Sequence, residues 1–220
     1  ILANKAGELY LVDAKAKGIS VTELVTVDKT RPSIELNLDN VEAQLLPGSE
    51  NNQEVINKVL DAGRLMLAAD SVGASQVMLN KSVAYSLERK QFGRVIGSFQ
   101  AVKHMCAEMA AELEPCHSMI WHASHCYDHD PSQARLMACH TKAHVSEVSK
   151  QISKTATEVH GGMGFTDELG LHYWFKRIGL NRQLLGSPEL VREEAARIQN
   201  FDQSPAGGQS KKEVGNPLLV

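Results

Sequence analysis

Residues 80–100, NKSVAYSLERKQFGRVIGSFQ, hold the side chains best suited to gripping a ligand. Arg89 supplies a fixed cation, Phe92 an aromatic face, and Gln91 and Gln100 two amides. That set suits a ligand combining phosphates with a flat ring, because a guanidinium forks onto phosphate oxygens and a ring packs on an aromatic face. A second stretch, EVHGGMGF, carries Gly161, Gly162 and Gly164. Glycines so spaced let a backbone approach a ligand and expose its amides, although the pattern also reads as a glycine-rich helix C-terminus. A third, DAGR, puts Asp61 and Arg64 on one helix face, where a solvated intrahelical ion pair is the plain reading. His122, His125 and His129 follow helical spacing, as do His140 and His144, and Cys126 and Cys139 lie nearby. No matching carboxylate pattern accompanies them, so no metal site is expected.

These residues need helices to position them. Val83, Ser86 and Leu87 repeat at helical spacing, Gly93 and Gly97 break the pattern, and Ser98 stands where it can cap a new helix. The stretch therefore reads as helix, glycine-marked turn, helix. Its first helix starts near residue 54, runs for about 35 residues, and shows an apolar stripe of Val55, Val59, Leu60, Leu67, Val72 and Met78. A second helix is expected over about 99–127, a loop DHDPSQ around Pro131, and a third helix over about 134–160. Shorter helices follow at about 171–180 and 188–200, the latter with Pro188 in its first turn.

Residues 1–46 read differently. GELYLVDA, ISVTELVTV and SIELNLDNV are strand-like, and Ile34, Leu36 and Leu38 alternate with Glu35, Asn37 and Asp39. That period of two predicts one buried and one wet face. The fold class expected is mainly α: a four-helix up-down bundle preceded by a partial antiparallel β domain. The β part spans 1–48, the bundle 49–202, and a loosely ordered Gly-, Pro- and Ser-rich tail 203–220.

A net charge of −3 gives no sign of a nucleic-acid partner. No apolar run reaches the ~20 residues of a membrane span. The four cysteines form no C-x-x-C pair and read as free thiols of a reducing compartment. Ile1 at the start, with no signal-peptide pattern after it, reads as a fragment or a processed product.

The R-x-x-F-G-x-x-I-x-x-F-Q run at 89–100 resembles the acyl-CoA dehydrogenase family, and EVHGGMGF, two long helices later, resembles that family's Q-x-x-G-G-x-G-[FY] run. The resemblance covers about residues 7–200. It implies the end of a middle β domain followed by a C-terminal helical bundle, with FAD as cofactor and an acyl-CoA thioester oxidised at its α,β bond, as in fatty acid metabolism. On the family pattern Arg89, Phe92 and Gln100 bind FAD, as do Glu158, Val159, His160, Gly161, Gly162 and Ser187, with the glycine segment serving a neighbouring subunit's flavin. Glu158 stands where the family usually has glutamine. Asp61, Arg64 and Gly186 fall at acyl-CoA-binding positions. The resemblance also implies an electron-transfer flavoprotein as electron acceptor, a homo- or hetero-oligomer (dimer or tetramer), and a cytoplasmic location, or the mitochondrial matrix in a eukaryote.

The family's general base is a glutamate in a Y-E-G-T run before the last helix. Here that run is LLGS, and Leu185 takes the glutamate's place. Some members instead carry the glutamate one residue before the D-x-x-R arginine, where this chain has Gly63. Both usual slots lack a carboxylate. Glu189 and Asp61 are the nearest substitutes. The chain's parent then reads as a dehydrogenase with a shifted base. The alternatives are a non-catalytic subunit in a mixed oligomer and a flavin-dependent monooxygenase of the same fold, which needs no such base.

Overall fold

A computed structural model describes residues 1–50 and 53–201. The N-terminal part holds five short strands: β1 (Leu2–Ala3), β2 (Leu9–Leu11), β3 (Ile19–Leu24), β4 (Ser33–Leu38) and β5 (Gln44–Leu45). They do not form one sheet. β1, β2 and β5 make a small antiparallel sheet, while β3 and β4 make a separate ribbon in the register Ile19↔Leu38 and Val21↔Leu36. The alternation in β4 does not mark a buried face, for Val21, Ile34, Leu36 and Leu38 are all exposed. Among the described residues no layer packs on the ribbon's apolar side.

The bundle follows: α1 (Gln53–Glu88), a small hairpin of β6 (Lys90–Gln91) and β7 (Arg94–Val95), α2 (Gln100–His129), α3 (Pro131–His160), α4 (Leu171–Gln183) and α5 (Pro188–Ile198). α3 is central and packs on α1, α2, α4 and α5. The core contains Val72, Met78, Met109, Leu113, Val145, Ile152, Leu171 and Ile178. α4 packs on α1 and α3, and α5 on α3.

The buried face of α1 differs from the apolar stripe in its sequence. Val72 and Met78 are buried, but Val59 is 61% exposed, and Ser71, Ser75, Ser82 and Ser86 turn inward. Their hydroxyls are satisfied within the helix: Ser71 donates to Leu67 O (2.8 Å), Ser75 to Ser71 O (2.8 Å) and Ser82 to Met78 O (2.8 Å). A serine so bonded packs like a small apolar residue. α3 likewise buries Ser146, Ser149, Ser153 and Thr157.

Two local expectations are corrected. The loop around Pro131 is a single residue: α2 runs on through His129, and Pro131 opens α3 directly after Asp130. Pro131 lacks only an N–H that the first helical turn leaves unpaired, so it starts the helix early. Ser98 is not the cap of α2. Phe99 holds that position, and the Ser98 hydroxyl donates back to Val95 O at 2.7 Å. The tail at 203–220 lies outside the described residues.

Candidate flavin and acyl site

Where a helix–turn–helix corner is expected, the chain makes a β-hairpin. Phe92 (φ 52°) and Gly93 (φ 78°) both have positive φ between β6 and β7, as the tightest hairpin turns require. The hairpin carries Gln91 back towards the end of α3. Arg89, Gln91 and Ile96 then line one pocket of about 460 Å³ together with Tyr85 and the run from Glu158 to Met163. Arg89, Glu158, Val159, His160, Gly161 and Gly162 are therefore brought together. Phe92 and Gln100 are not. Phe92 is 92% exposed and meets Phe99 edge-on at 6.2 Å, and the Gln100 amide lies 3.3 Å from the His104 ring.

Each wall of the pocket has a distinct chemistry. The Arg89 guanidinium makes no hydrogen bond or ion pair among the described residues, so its donors are open. His160 is buried, stacks on Tyr85 at 4.5 Å, and places Nδ1 2.7 Å from Ala156 O. A carbonyl only accepts, so Nδ1 carries the hydrogen. Burial pushes the His160 pKa down, favouring the neutral ring. A side chain at Gly161 or Gly162 would meet nothing within 4 Å, so the backbone there is open to the pocket. Gly164 differs: a Cβ would fall 2.6 Å from Thr157 O. Gly164→Ala is expected to cost on the order of 1–3 kcal/mol by forcing the turn off α3, read as a lower midpoint in urea unfolding.

The second cluster lies at the other slots. Arg64 is fully buried, which overturns the solvated ion pair of the sequence reading. Nη1 meets Asp61 at 3.2 Å and Cys139 Sγ at 3.4 Å, Nη2 donates to Glu194 at 2.7 Å, and Nε donates to Leu185 O at 3.0 Å. Arg135 also pairs with Glu194. Burial raises the Asp61 pKa against the pull of Arg135 and Arg64. Burial acts the same way on Glu194, but Arg64 and Arg135 outweigh it and hold that carboxyl low. Burial pushes the Cys139 thiol up to about 12, which keeps it unreactive.

Leu185 is half-buried with φ 57°, in a left-handed conformation rare for leucine. Its side chain lies over Gly63: a Cβ at 63 would fall 2.4 Å from Leu185 Cδ1. Positions 63 and 185 thus face one space from two elements, and a Leu185 methyl fills it. Gly186 (φ 106°) completes the turn, and its absent side chain leaves room for Val191 and Arg64. Ser187 caps α5 by accepting from Leu190 N. Both carboxylates expected as substitutes are engaged with arginines. Glu189 is exposed and its Oε1 accepts from Arg182 at 2.6 Å; hydrogen bonds from Ser187, its own backbone and Arg182 hold its pKa down to about 2. Asp61 is tied to Arg64.

Sequence reasoning missed Tyr85, Arg135, Glu194, Asn181 and Lys142. Lys142 had a signal: it falls at helical spacing within the buried row Ala138, Cys139, Val145, Ser149 and Ile152, where a lysine is out of place. Cys126 Sγ lies 3.8 Å from His122 Nε2, and the His125 and His129 rings are 4.7 Å apart. No group of three or more potential metal ligands occurs among the described residues. No helix among them is long and apolar enough to cross a membrane.

Residues 53–199 match the family described as acyl-CoA dehydrogenase, C-terminal domain. The chain belongs to the acyl-CoA dehydrogenase family. It is 28% identical over 193 residues to the acyl-CoA dehydrogenase IpdE2 of Mycolicibacterium smegmatis, a match covering 88% of this chain and 59% of that protein. It is 31% identical over 168 residues to the caffeyl-CoA reductase–Etf complex subunit CarC of Acetobacterium woodii, covering 72% and 43%. Its fold superposes with TM-score 0.83 on a glutaryl-coenzyme A dehydrogenase in complex with glutaryl-CoA, at 25% identity, covering 88% and 50%. The chain spans about half the length of these relatives.

Proposed function

We propose that this chain forms the C-terminal flavin-binding part of an acyl-CoA-oxidising flavoprotein, with FAD held partly by the pocket at the α1 and α3 ends. The observation that carries the reading is the convergence of Arg89 and Gln91 with the open backbone at Gly161 and Gly162. Those residues fit a dinucleotide: open guanidinium donors suit a pyrophosphate, the backbone without side chains at Gly161 and Gly162 lets it approach closely, and the Tyr85–His160 stack offers a flat floor. Bound FAD would supply the acceptor for a hydride from the acyl β-carbon. The chain's own part is to bind and orient it. Glu158 in the glutamine position accepts hydrogen bonds but donates none when ionised, so it selects for a donor on the ligand.

A mixed oligomer is favoured over a self-sufficient enzyme by one observation: Leu185 Cδ1 occupies the space of either base. In that reading a second subunit supplies the glutamate, and an electron-transfer flavoprotein accepts the electrons.

The test uses the full-length parent. Arg89→Met is expected to weaken FAD binding about 10- to 100-fold, because one charge-assisted contact contributes roughly 1.5–3 kcal/mol. Titration of apoprotein with FAD, followed by flavin fluorescence, measures it. Unchanged affinity in Arg89→Met, or a parent that binds no flavin, would sink the reading.

A further inference from the structure

We propose that Lys142 is a positioning residue for the Leu184–Leu185–Gly186–Ser187 turn, acting through the last carbonyls of α4. The proposal gives a role in the acyl and flavin site to a residue outside it, and in that respect rests on the reading above. Lys142 lies in the middle of α3 and is 1% exposed. Its Nζ donates to Asn181 O, to Arg182 O at 3.3 Å and to Ser146 Oγ at 3.5 Å. Both carbonyls belong to the last turn of α4, where backbone acceptors have no partner within the helix. A cation also suits the negative end of the helix dipole.

The turn begins directly beyond these carbonyls. Leu184 is extended, Leu185 is left-handed at φ 57° and Gly186 is at φ 106°. A chain reversal containing a left-handed leucine persists only where its surroundings hold it. Arg64 holds it on the far side, through Leu185 O. Lys142 holds its near side, through the point where α4 stops. The Asn181 side chain widens the anchorage. Its Nδ2 donates to Asp70 at 2.6 Å and to Ser71 Oγ at 3.1 Å, and its Oδ1 accepts from Arg31 at 2.8 Å. The residue that Lys142 grips by its carbonyl is therefore also fixed to α1 and to the loop between β3 and β4.

A capping role alone leaves the choice of lysine unexplained. Among the described residues no carboxylate lies within ion-pair distance of Nζ. The nearby carboxylates serve arginines: Asp61 and Glu194 bind Arg64, and Glu147 and Glu189 bind Arg182. Burial, with Arg64 and Arg182 adding to it, lowers the Lys142 pKa to about 8. A buried cation without a counter-charge costs stability, and the acceptors at Asn181 O, Arg182 O and Ser146 Oγ fix where it sits.

Hydrogen exchange of the 220-residue chain tests this without any flavin. In Lys142→Met, which keeps the length and loses the charge, the Leu184 amide, which donates to Leu180 O at 3.1 Å, should exchange about tenfold faster or more, while core amides of α1 and α3 keep their protection. Lys142→Arg keeps a cation with several donors and should restore protection at Leu184. It also serves as the readable variant should the methionine chain fold poorly. A purely structural cap would lower protection in α3, along α4 and at Leu184 together; that result, or unchanged exchange at Leu184, overturns the proposal. In the flavin-loaded Leu185→Glu parent, where the turn carries the base, adding Lys142→Met should slow flavin reduction. A parent without flavin would end the functional reading and leave the exchange result standing.

Discussion

Replacing Arg64 by methionine is expected to destabilise the bundle by about 3–5 kcal/mol at neutral pH, the usual cost of removing one partner from a buried ionic cluster. Arg64 is the common partner of Asp61 and Glu194, and it also donates to Leu185 O. Methionine fills much of the space and bonds to none of them. Asp61 then stays buried without its bonded partner, under the longer-range pull of Arg135 alone, while Glu194 keeps its ion pair with Arg135. The expected loss corresponds to roughly 6–20 °C in melting temperature for a chain of this size. Its pH dependence separates the electrostatic cost from lost packing. Without Arg64 both carboxyls have folded pKa values pushed upward. A group whose folded pKa exceeds its unfolded value favours folding below the unfolded pKa, and that contribution disappears as pH rises through the folded pKa. The variant's deficit should therefore shrink as pH falls towards 4 and grow towards 7. Urea unfolding of wild type and Arg64→Met at both ends of that range gives the comparison. A deficit of equal size at pH 4 and pH 7 would mean that packing, not charge, dominates.

This cluster also shows where the sequence stops being legible. The spacing of Asp61 and Arg64 puts them on one helix face, as read, but spacing cannot show what covers that face. Glu194 and Arg135 come from α5 and α3, 130 and 71 positions away in the chain from Arg64, and no local pattern ties them to it. Helices were readable because helical sequence persists for about ten turns in α1 and eight in α3. Their inner faces were misread on α1 because serines that bond to their own helix pack as small apolar residues, which a hydrophobic stripe does not register. The alternation of β4 was real, but alternation states only that two faces differ, not that either is covered. The glycine motif was legible to different depths. Gly161 and Gly162 border open space as read, whereas Gly164 is dictated by contact with Thr157 O. The hairpin at 90–95 escaped because its left-handed pair begins with phenylalanine, a residue that seldom signals such a turn.

Leu185→Glu, made in the full-length parent, is expected to raise the rate at which a matched acyl-CoA bleaches the flavin by ~10²–10⁴-fold, the typical worth of a positioned general base. Leucine already holds the left-handed backbone at 185, so glutamate meets no new backbone strain there. The two side chains are similar in length, and the leucine methyl that glutamate replaces reaches the space above Gly63. Partial burial raises the new carboxyl's pKa towards the range useful for a base. The same geometry predicts what fails. Gly63→Glu alone would drive its Cβ to 2.4 Å from Leu185 Cδ1, so it should distort the turn and leave bleaching slow. Adding Leu185→Ala removes that methyl, and the Gly63→Glu, Leu185→Ala pair should recover part of the rate. Anaerobic stopped-flow absorbance, wild type against the three variants, reads all four outcomes. Fast bleaching by the wild type that survives Glu189→Gln and Asp61→Asn would mean that the base lies elsewhere. Gly63→Glu working as well alone as with Leu185→Ala would mean that the two slots do not share one space.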